Sequence, residues 1–390
     1  MPDAPRPADR PLVVRPVTTR AMRRDWLELP WKVNRGDPMW VPPLRDVQRR
    51  LAGFGRHPAW DGASIAAFLA TRGGEPVGRI AAIENRVHNQ THGDKTGFFG
   101  FFECFDDEAA AAGLFAAAEA WLARRGLHAC RGPMNPTINY ELGTLIDGFD
   151  TPPYFLLTHN PPYYQRLIES AGYGKGHDLY AYRGDTSMLD RLAHDKKLVT
   201  VDEMVRERFG VTVRPMRPKR FADEIETFLT IYNRALTQTW GYVPMSRAEV
   251  QHFGADLRRL LVPELARIAE VDGKPVGCVF GLLDYNPRIR AIDGRLYPLG
   301  WVRLLRNKTQ IRRIRMVSTN VLPEYQSWGV GVTLVVDMLE PCLSHGITDC
   351  EFSWVLESNN LSRKTIEKGG AQRYKTWRVF EKAISPQPAG

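Results

Sequence analysis

The strongest chemical signal in the chain is the run Val321-Leu322-Pro323-Glu324-Tyr325-Gln326-Ser327-Trp328-Gly329-Val330-Gly331-Val332-Thr333. It follows an apolar strand and opens a helix. Pro323 ends the strand, since proline brings no N–H to a ladder. Gly329 and Gly331 let the main chain come close to a ligand, and the unpaired N–H groups of the helix start form an anion cradle. A diphosphate fits such a cradle. A glycine-rich corner with no ligand would use the same residues, and the Gln-x-x-Gly-x-Gly spacing alone is weakly specific. Its place between strand and helix gives it weight.

Other reactive residues are sparse. Cys104, Cys130, Cys278, Cys342 and Cys350 form no C-x-x-C pair and lie in apolar segments, as reduced, buried thiols do. His88 and His92 are four residues apart, but a helix there runs into Gly93 and no third ligand is near, so no metal is expected. H-E-x-x-H and G-x-x-x-x-G-K-[ST] are both absent, which argues against zincins and P-loop enzymes. The net charge is +9, and residues 286–315 alone carry +8, with nine Arg or Lys against Asp293. Within them Trp301, Leu304 and Leu305 share a helical face, a pattern suited to an anionic membrane surface. A phosphate-rich cofactor or plain solvation would use the same charge. Nucleic acid is not expected, because no stacking platform or known binding motif accompanies the basic residues. No run of ~18 apolar residues could span a membrane. The opening MPDAPRPADRPLVV lacks the apolar core of a secretory signal. The expected location is cytoplasmic, peripheral on the inner face of the membrane.

These residues need a scaffold, and the chain contains two similar ones. At 390 residues it predicts two to three domains. GEPVGRIAAI (74–83) answers GKPVGCVFGL (273–282), LIESAGY (167–173) answers TIEKGGA (365–371), and WVPP (40–43) loosely answers YVPM (242–245), in the same order. The three offsets agree within a few residues, so two copies of one fold, about 180 residues each, are expected. In the second copy a hairpin turns at Asp272-Gly273. A strand at 314–322, a helix from about 329 to 345, a strand at 349–355, a helix at 360–368 and a last strand at 374–381 follow. In the first copy the hairpin turns at Gly73-Gly74, followed by a strand at 97–104, an Ala-rich helix at 106–126, a strand at 128–134, a helix at 162–171 and a closing strand at 179–183. Such alternation with hairpins predicts an α/β fold with mixed sheets. The expected division is 1–183, a charged connector 184–209, and 210–384.

The loop, its preceding strand and the following Asn359-x-x-Ser362-x-x-x-Ile366-Glu367-Lys368-Gly369 resemble the GNAT acyltransferase superfamily. The resemblance implies two tandem GNAT-like domains, each a mixed, mostly antiparallel sheet flanked by helices. It implies that Val321 and Leu322 offer backbone groups to pantetheine. It also implies that Gln326, Gly329, Val330, Gly331, Val332 and Thr333 hold the CoA diphosphate, with Asn359 facing the cofactor. The superfamily's frequent Tyr acid is Ile366 here, so another group protonates the leaving thiolate or it departs unaided, which is tolerable near pH 8. Attack of an amine on a thioester calls for an oxyanion donor, for which the Val321 or Leu322 N–H is the candidate. It also calls for a base, for which Glu357 is the candidate. Trp240 and Tyr242 follow the first helix of the second copy, where the superfamily admits the acceptor. The first copy has Asp106, Asp107 and Glu108 where a diphosphate would bind, so it is not expected to hold CoA. Its long segment 131–154 offers Asn135, Asn139, Tyr140 and Glu141 as acceptor contacts.

PWKVNRGDPMWVPPL (30–44), GRIAAIENRVHN (78–89), TGFFGFFEC (96–104), RGPMNPTIN (131–139), IDGFDTPP (146–153), WGYVPM (240–245) and SWVLESNN (353–360) together resemble a bacterial tandem-GNAT family that includes bacterial ceramide synthases. The resemblance implies transfer of a long-chain acyl group from acyl-CoA to a sphingoid base, 3-oxosphinganine or sphinganine. The competing expectations are an acetyl-CoA-dependent enzyme for a small soluble amine, a non-catalytic acyl-CoA sensor, and transfer from aminoacyl-tRNA. The Gln-x-x-Gly-x-Gly loop favours CoA over the last.

Overall fold

The computed structural model describes residues 10–385; most of the stretch read above for a secretory signal lies outside them. The strands are β1 (Leu12–Pro16), β2 (Ala63–Arg72), β3 (Glu75–Asn85), β4 (Thr96–Cys104), β5 (Ala129–Gly132), β6 (Met134–Asn135), β7 (Glu141–Leu142), β8 (Thr144–Asp147), β9 (Gly174–Asp185), β10 (Val211–Pro215), β11 (Ala266–Val271), β12 (Lys274–Leu283), β13 (Arg313–Val321), β14 (Asp349–Leu356) and β15 (Gln372–Ala383). The chain divides into two compact units that do not follow chain order. The first holds the residues up to Asp178 with Ile289–Pro298 and those from Thr376; the second holds Leu179–Arg288 and Leu299–Lys375. The strand expected to close the first copy, 179–183, pairs with β14 and lies in the second unit. The end of β15 pairs with β5 in the first.

In the first unit β1, β2, β3 and β4 pair antiparallel in sequence order, β4 and β5 pair parallel, and β5 meets β15 antiparallel. The Ala-rich helix Glu108–Ala123 buries Ala110, Ala111, Leu114, Phe115, Ala118 and Leu122. Alanine gives that helix high intrinsic propensity, and small side chains let it lie close to the sheet. Phe115 meets Phe99 and Tyr173 with ring centroids 5.1 and 4.9 Å apart, the spacing at which aromatic pairs add about 0.5–1.5 kcal/mol beyond burial.

The second unit repeats the plan. β10, β11, β12 and β13 pair antiparallel, β13 and β14 parallel, and β14 meets the end of β9 antiparallel. The β11–β12 turn has Asp272 at φ 49° and Gly273 at φ 71°, the left-handed pair that a two-residue hairpin demands. The charged connector is helical, over Thr186–Ala193 and Lys196–Phe209, and belongs to this unit. Each unit thus carries the expected mixed, mostly antiparallel sheet with helices against it.

Candidate active site

In the second unit β13 and β14 pair only from Arg313–Asp349 to Met316–Phe352. Immediately beyond, β13 bulges at Val317, since Phe280 faces Ser318 while Gly281 faces Met316. A bulge bends its strand and breaks the ladder. The two strands therefore stop pairing there, and a slot edged by main chain begins.

At the far end of β13 the chain turns through Pro323–Trp328 into the helix Val330–His345. Gly329 caps that helix at φ +90°, which a Cβ strains, and a Cβ there would lie 2.9 Å from Val205 Cγ2 of the former connector. Trp328 stacks on Phe209 of the same helix at 4.5 Å, fixing the loop from behind. No side chain caps the Val330 helix; the Val332 and Thr333 N–H groups donate to Gly329 O at 2.8 and 3.3 Å, which leaves those of Val330 and Gly331 for a ligand. A Cβ on Gly331 would meet only Val321 Cγ2, at 3.9 Å, so the space before it is open. Thr333 in this first turn is fully buried, and its Oγ1 has no hydrogen-bond partner. An unpaired buried hydroxyl costs about 1–3 kcal/mol. A phosphate oxygen would satisfy it, so these residues fit the diphosphate assigned to them.

The other expected cofactor contacts are altered by their neighbours. Gln326 Nε2 donates to the Val321 carbonyl at 3.0 Å and so pins the loop to the strand end. Leu322 N–H donates to Val276 O at 2.9 Å, and its carbonyl accepts from Tyr325 N–H at 2.9 Å. The Leu322 N–H is therefore committed to β12 and is not left for an oxyanion. Val321 faces Gly277 between hydrogen-bonded neighbours, which turns its N–H away from β12. Asn359 caps the helix Asn360–Lys368, its Oδ1 accepting from Ser362 N–H at 3.1 Å. Glu357 lies just past β14, where its carbonyl accepts from Arg363 at 2.9 Å. That is five residues beyond the last paired rung, at the open end of the slot. Tyr242 is buried and donates its hydroxyl to Asn233 O at 2.9 Å, anchoring its loop. Trp240 precedes it, half-buried.

Where the strands part, the structure gathers residues that the sequence did not single out. Arg315 and Glu351 face each other on the penultimate rung, both buried. Arg315 donates through Nε to Ser353 Oγ at 2.8 Å and through Nη2 to Ser353 O at 3.2 Å. Ser353 Oγ donates to Glu351 Oε1 at 2.6 Å, and the Tyr374 phenol donates to Glu351 Oε2. Burial pushes the Glu351 carboxyl above its ordinary value; Arg315, Ser353 and Tyr374 pull the other way. Burial also lowers Arg315, to about 10.

The corresponding features of the first unit are filled by its own side chains. β4 pairs β5 only as far as Phe98–Arg131 and then bulges, with Phe101 at φ 52°. Segment 133–135 lies against the bulge: Asn135 Oδ1 accepts the Phe101 N–H at 2.6 Å, and a Cβ on Gly100 would sit 2.1 Å from Met134 O. Asp107 caps the helix where a diphosphate would bind, accepting from Ala110 N–H at 3.0 Å and pairing with Arg72. Asn135 also donates to Glu141 Oε2 at 3.3 Å. Burial raises both Glu141 and Glu103, while Arg79, 3.8 Å from Glu103, opposes the rise. The structure thus brings Asn135 and Glu141 together; Asn139 N–H donates to Thr137 Oγ1, and Tyr140 lies edge-on to His57.

Most basic residues of 286–315 make contacts within their own unit. Asp293 accepts from Trp31 at 2.6 Å and Arg45 at 2.9 Å in the first unit. In the second, Arg288 binds Leu304 O and Asn307 O, Lys308 binds Arg259 O, and Arg312 binds His345 O. The expected face of Trp301, Leu304 and Leu305 is corrected by Leu304, which turns inward and is buried. Outward stand Leu299 (68% exposed), Trp301 (45%) and Val302 (38%), beside exposed Arg303 and Arg306. Among the described residues no helix is long and apolar enough to cross a membrane, and no His, Cys, Asp or Glu group is placed to hold a metal. All five cysteines are buried and unpaired in disulfides, and burial lifts the thiols of Cys130, Cys278, Cys342 and Cys350 to about 12.

No protein-family profile matches the chain. It is 35% identical over 365 residues to Protein YghO of Escherichia coli (strain K12), covering 92% of each chain. It is 35% identical over 381 residues to the bacterial ceramide synthase of Caulobacter vibrioides (strain NA1000 / CB15N), covering 96% of this chain and 98% of that one. Among solved structures, a tandem GNAT protein from the clavulanic acid biosynthesis pathway aligns with a TM-score of 0.55 at 14% identity, over 97% of this chain and 100% of that one. A GCN5-related N-acetyltransferase from Sphaerobacter thermophilus aligns at 0.51 and 14%, over 96% of each. With such identity along nearly its whole length, the chain belongs to the family of the bacterial ceramide synthase and YghO, and it is an N-acyltransferase of tandem GNAT fold.

Proposed function

We propose that the protein transfers a long-chain acyl group from acyl-CoA to the amine of a sphingoid base, 3-oxosphinganine or sphinganine, giving a (3-oxo)ceramide. The observation that carries the donor half is the slot between β13 and β14, leading to a glycine-capped, uncapped-by-side-chain helix start with an unsatisfied Thr333 hydroxyl. The thioester supplies an activated acyl group. The turn from Val330 through Gly331 and Val332 to Thr333 holds its diphosphate, and the Val321 N–H, turned into the slot, is left for the pantetheine arm. The first unit, its own slot filled by Met134–Asn135 and its helix start by Asp107, binds no CoA.

The acceptor half rests on 35% identity to the Caulobacter ceramide synthase over 96% of the chain. A lipid acceptor also accords with Leu299, Trp301 and Val302 standing exposed beside Arg303 and Arg306, a short amphipathic element able to enter the headgroup layer of an anionic membrane. The test is product detection by mass spectrometry with purified protein, acyl-CoAs of two to eighteen carbons, sphingoid bases and simple amines. N-acylated sphingoid base from the long-chain donors is the expected product. Acetylation of a small amine alone would refute the lipid reading, and CoA binding without any product would leave a sensor.

A further inference from the structure

We propose that Tyr374, oriented by the buried Glu351, delivers the proton taken up by the departing thiolate, and that Arg315 and Ser353 hold Glu351 in place for it. The inference rests on the acyl-CoA reading of the slot. It begins from a gap in the sequence, since the residue at which the superfamily resemblance expects a tyrosine acid is Ile366. The structure brings a different tyrosine to the site, eight residues on in β15, with its phenol donating to Glu351 Oε2.

Placement gives the cluster its meaning. Glu351 lies on the penultimate rung before β13 and β14 stop pairing, and Ser353 is the first β14 residue past the last rung. From Val321, beside the diphosphate loop, back to Met316 is five residues, about 16 Å at ~3.3 Å per residue. An extended pantetheine arm can cover that span, so a CoA anchored at the loop brings its sulfur to this end of the slot. Glu357, by contrast, stands at the loop end. A buried Arg–Glu–Ser set is also a costly way to fill a core, because apolar side chains of similar volume commonly serve stability as well or better.

The groups around Glu351 come from several strands; its rung partner on β9 is Arg183, which pairs with Asp349. Arg315 stands on β13 and Tyr374 on β15, followed by the fully buried Lys375. Asp284 lies past the end of β12, paired with Arg313 at 3.3 Å. Burial and Asp284 favour the protonated carboxyl, while Arg315 and the two hydroxyls favour the carboxylate. A carboxyl balanced in this way can both hold and return a proton.

The amine nitrogen attacks the thioester carbon, and the C–S bond breaks with its electron pair on sulfur. Sulfur takes the phenolic proton of Tyr374, and the phenolate oxygen takes the proton held on Glu351. The proton lost by the nitrogen returns to Glu351 through Ser353 or water. Amine and thioester become amide and thiol, and the side chains end as they began.

The test uses the full-length protein as wild type, Tyr374→Phe and Glu351→Gln. Calorimetry with CoA comes first, and Tyr374→Phe is expected to bind within about threefold of wild type. The thiol of bound CoA is then titrated by its thiolate ultraviolet absorbance. In wild type the Tyr374 donor stabilises the thiolate, so the thiol titrates below its value in solution, and Tyr374→Phe returns it upward. Turnover of acyl-CoA should fall about 100-fold in Tyr374→Phe, the low end of general-acid effects. The loss should shrink to a few-fold with an acyl thiophenol ester, whose leaving group needs no acid. Glu351→Gln should lower kcat and alter the acid limb of the pH profile with little change in KM. If wild-type-bound CoA titrates as in solution, or Tyr374→Phe turns over acyl-CoA within threefold of wild type, the assignment is overturned while the acyltransferase reading stands. If wild type binds no CoA, both fall together.

Discussion

Thr333→Val should move stability and ligand affinity in opposite directions. The Thr333 hydroxyl is fully buried in the first turn of the Val330 helix and has no partner. Valine keeps the branched shape and removes the oxygen. If the hydroxyl is unsatisfied without ligand, its removal recovers part of a penalty of about 1–3 kcal/mol. A gain of about 1 kcal/mol would raise the melting temperature by about 2–4 °C in a unit of this size. On the proposed diphosphate site the same hydroxyl donates to a charged phosphate oxygen in the complex, an interaction of about 1.5–3 kcal/mol. Losing it weakens CoA by about 10- to 150-fold. Differential scanning calorimetry of the ligand-free protein and isothermal titration with CoA measure the two effects. A variant that is less stable, yet binds CoA as wild type does, would refute the reasoning, because the hydroxyl would then serve the fold and not the ligand.

Gly329→Glu should weaken CoA at least 100-fold: the left-handed backbone costs a side chain about 1–2 kcal/mol and the carboxylate adds repulsion of the diphosphate. Asp107→Asn in the first unit should leave CoA affinity unchanged; unaltered CoA binding by the Gly329 variant in titration calorimetry would remove the cofactor assignment. Replacing Arg303 and Arg306 by Gln should lower partition onto phosphatidylglycerol vesicles about 30-fold, at about 1 kcal/mol per basic residue near the surface. Equal sedimentation of wild type and variant with those vesicles would contradict the membrane reading. Burial raises the Glu141 carboxyl above its unfolded value of about 4.3. Its contribution to stability is therefore full below that value and is lost as pH rises through the folded one. Glu141→Gln should flatten the decline of denaturation midpoints on that alkaline side, and an unchanged slope would count against it.

What could be read from the chain was local or repetitive. The turn at Asp272-Gly273 and the Gly329 cap need left-handed backbone that few residues accept, so the residue types announce it. The repeated hairpin sequences and their common offset pointed to two similar units. The cluster of Arg315, Glu351 and Tyr374 was illegible because its members stand more than twenty residues apart and meet only through the fold. Nothing in strand periodicity reports register across a parallel pair. The buried Leu304 departs from the expected outward face of Trp301, Leu304 and Leu305 because helical spacing identifies a stripe but not which stripe turns inward. Asn359 shows a similar limit, since a residue that caps a helix and one that meets a ligand have the same chemistry.

The proposed binding of acyl-CoA by the second unit, at the start of the Val330 helix, is decided by amide hydrogen exchange with and without CoA. The prediction is slowed exchange across 326–334 and along the slot-facing end of β13, with the 105–112 region of the first unit unchanged. Protection at 105–112, or none at 326–334 under saturating CoA, would contradict it.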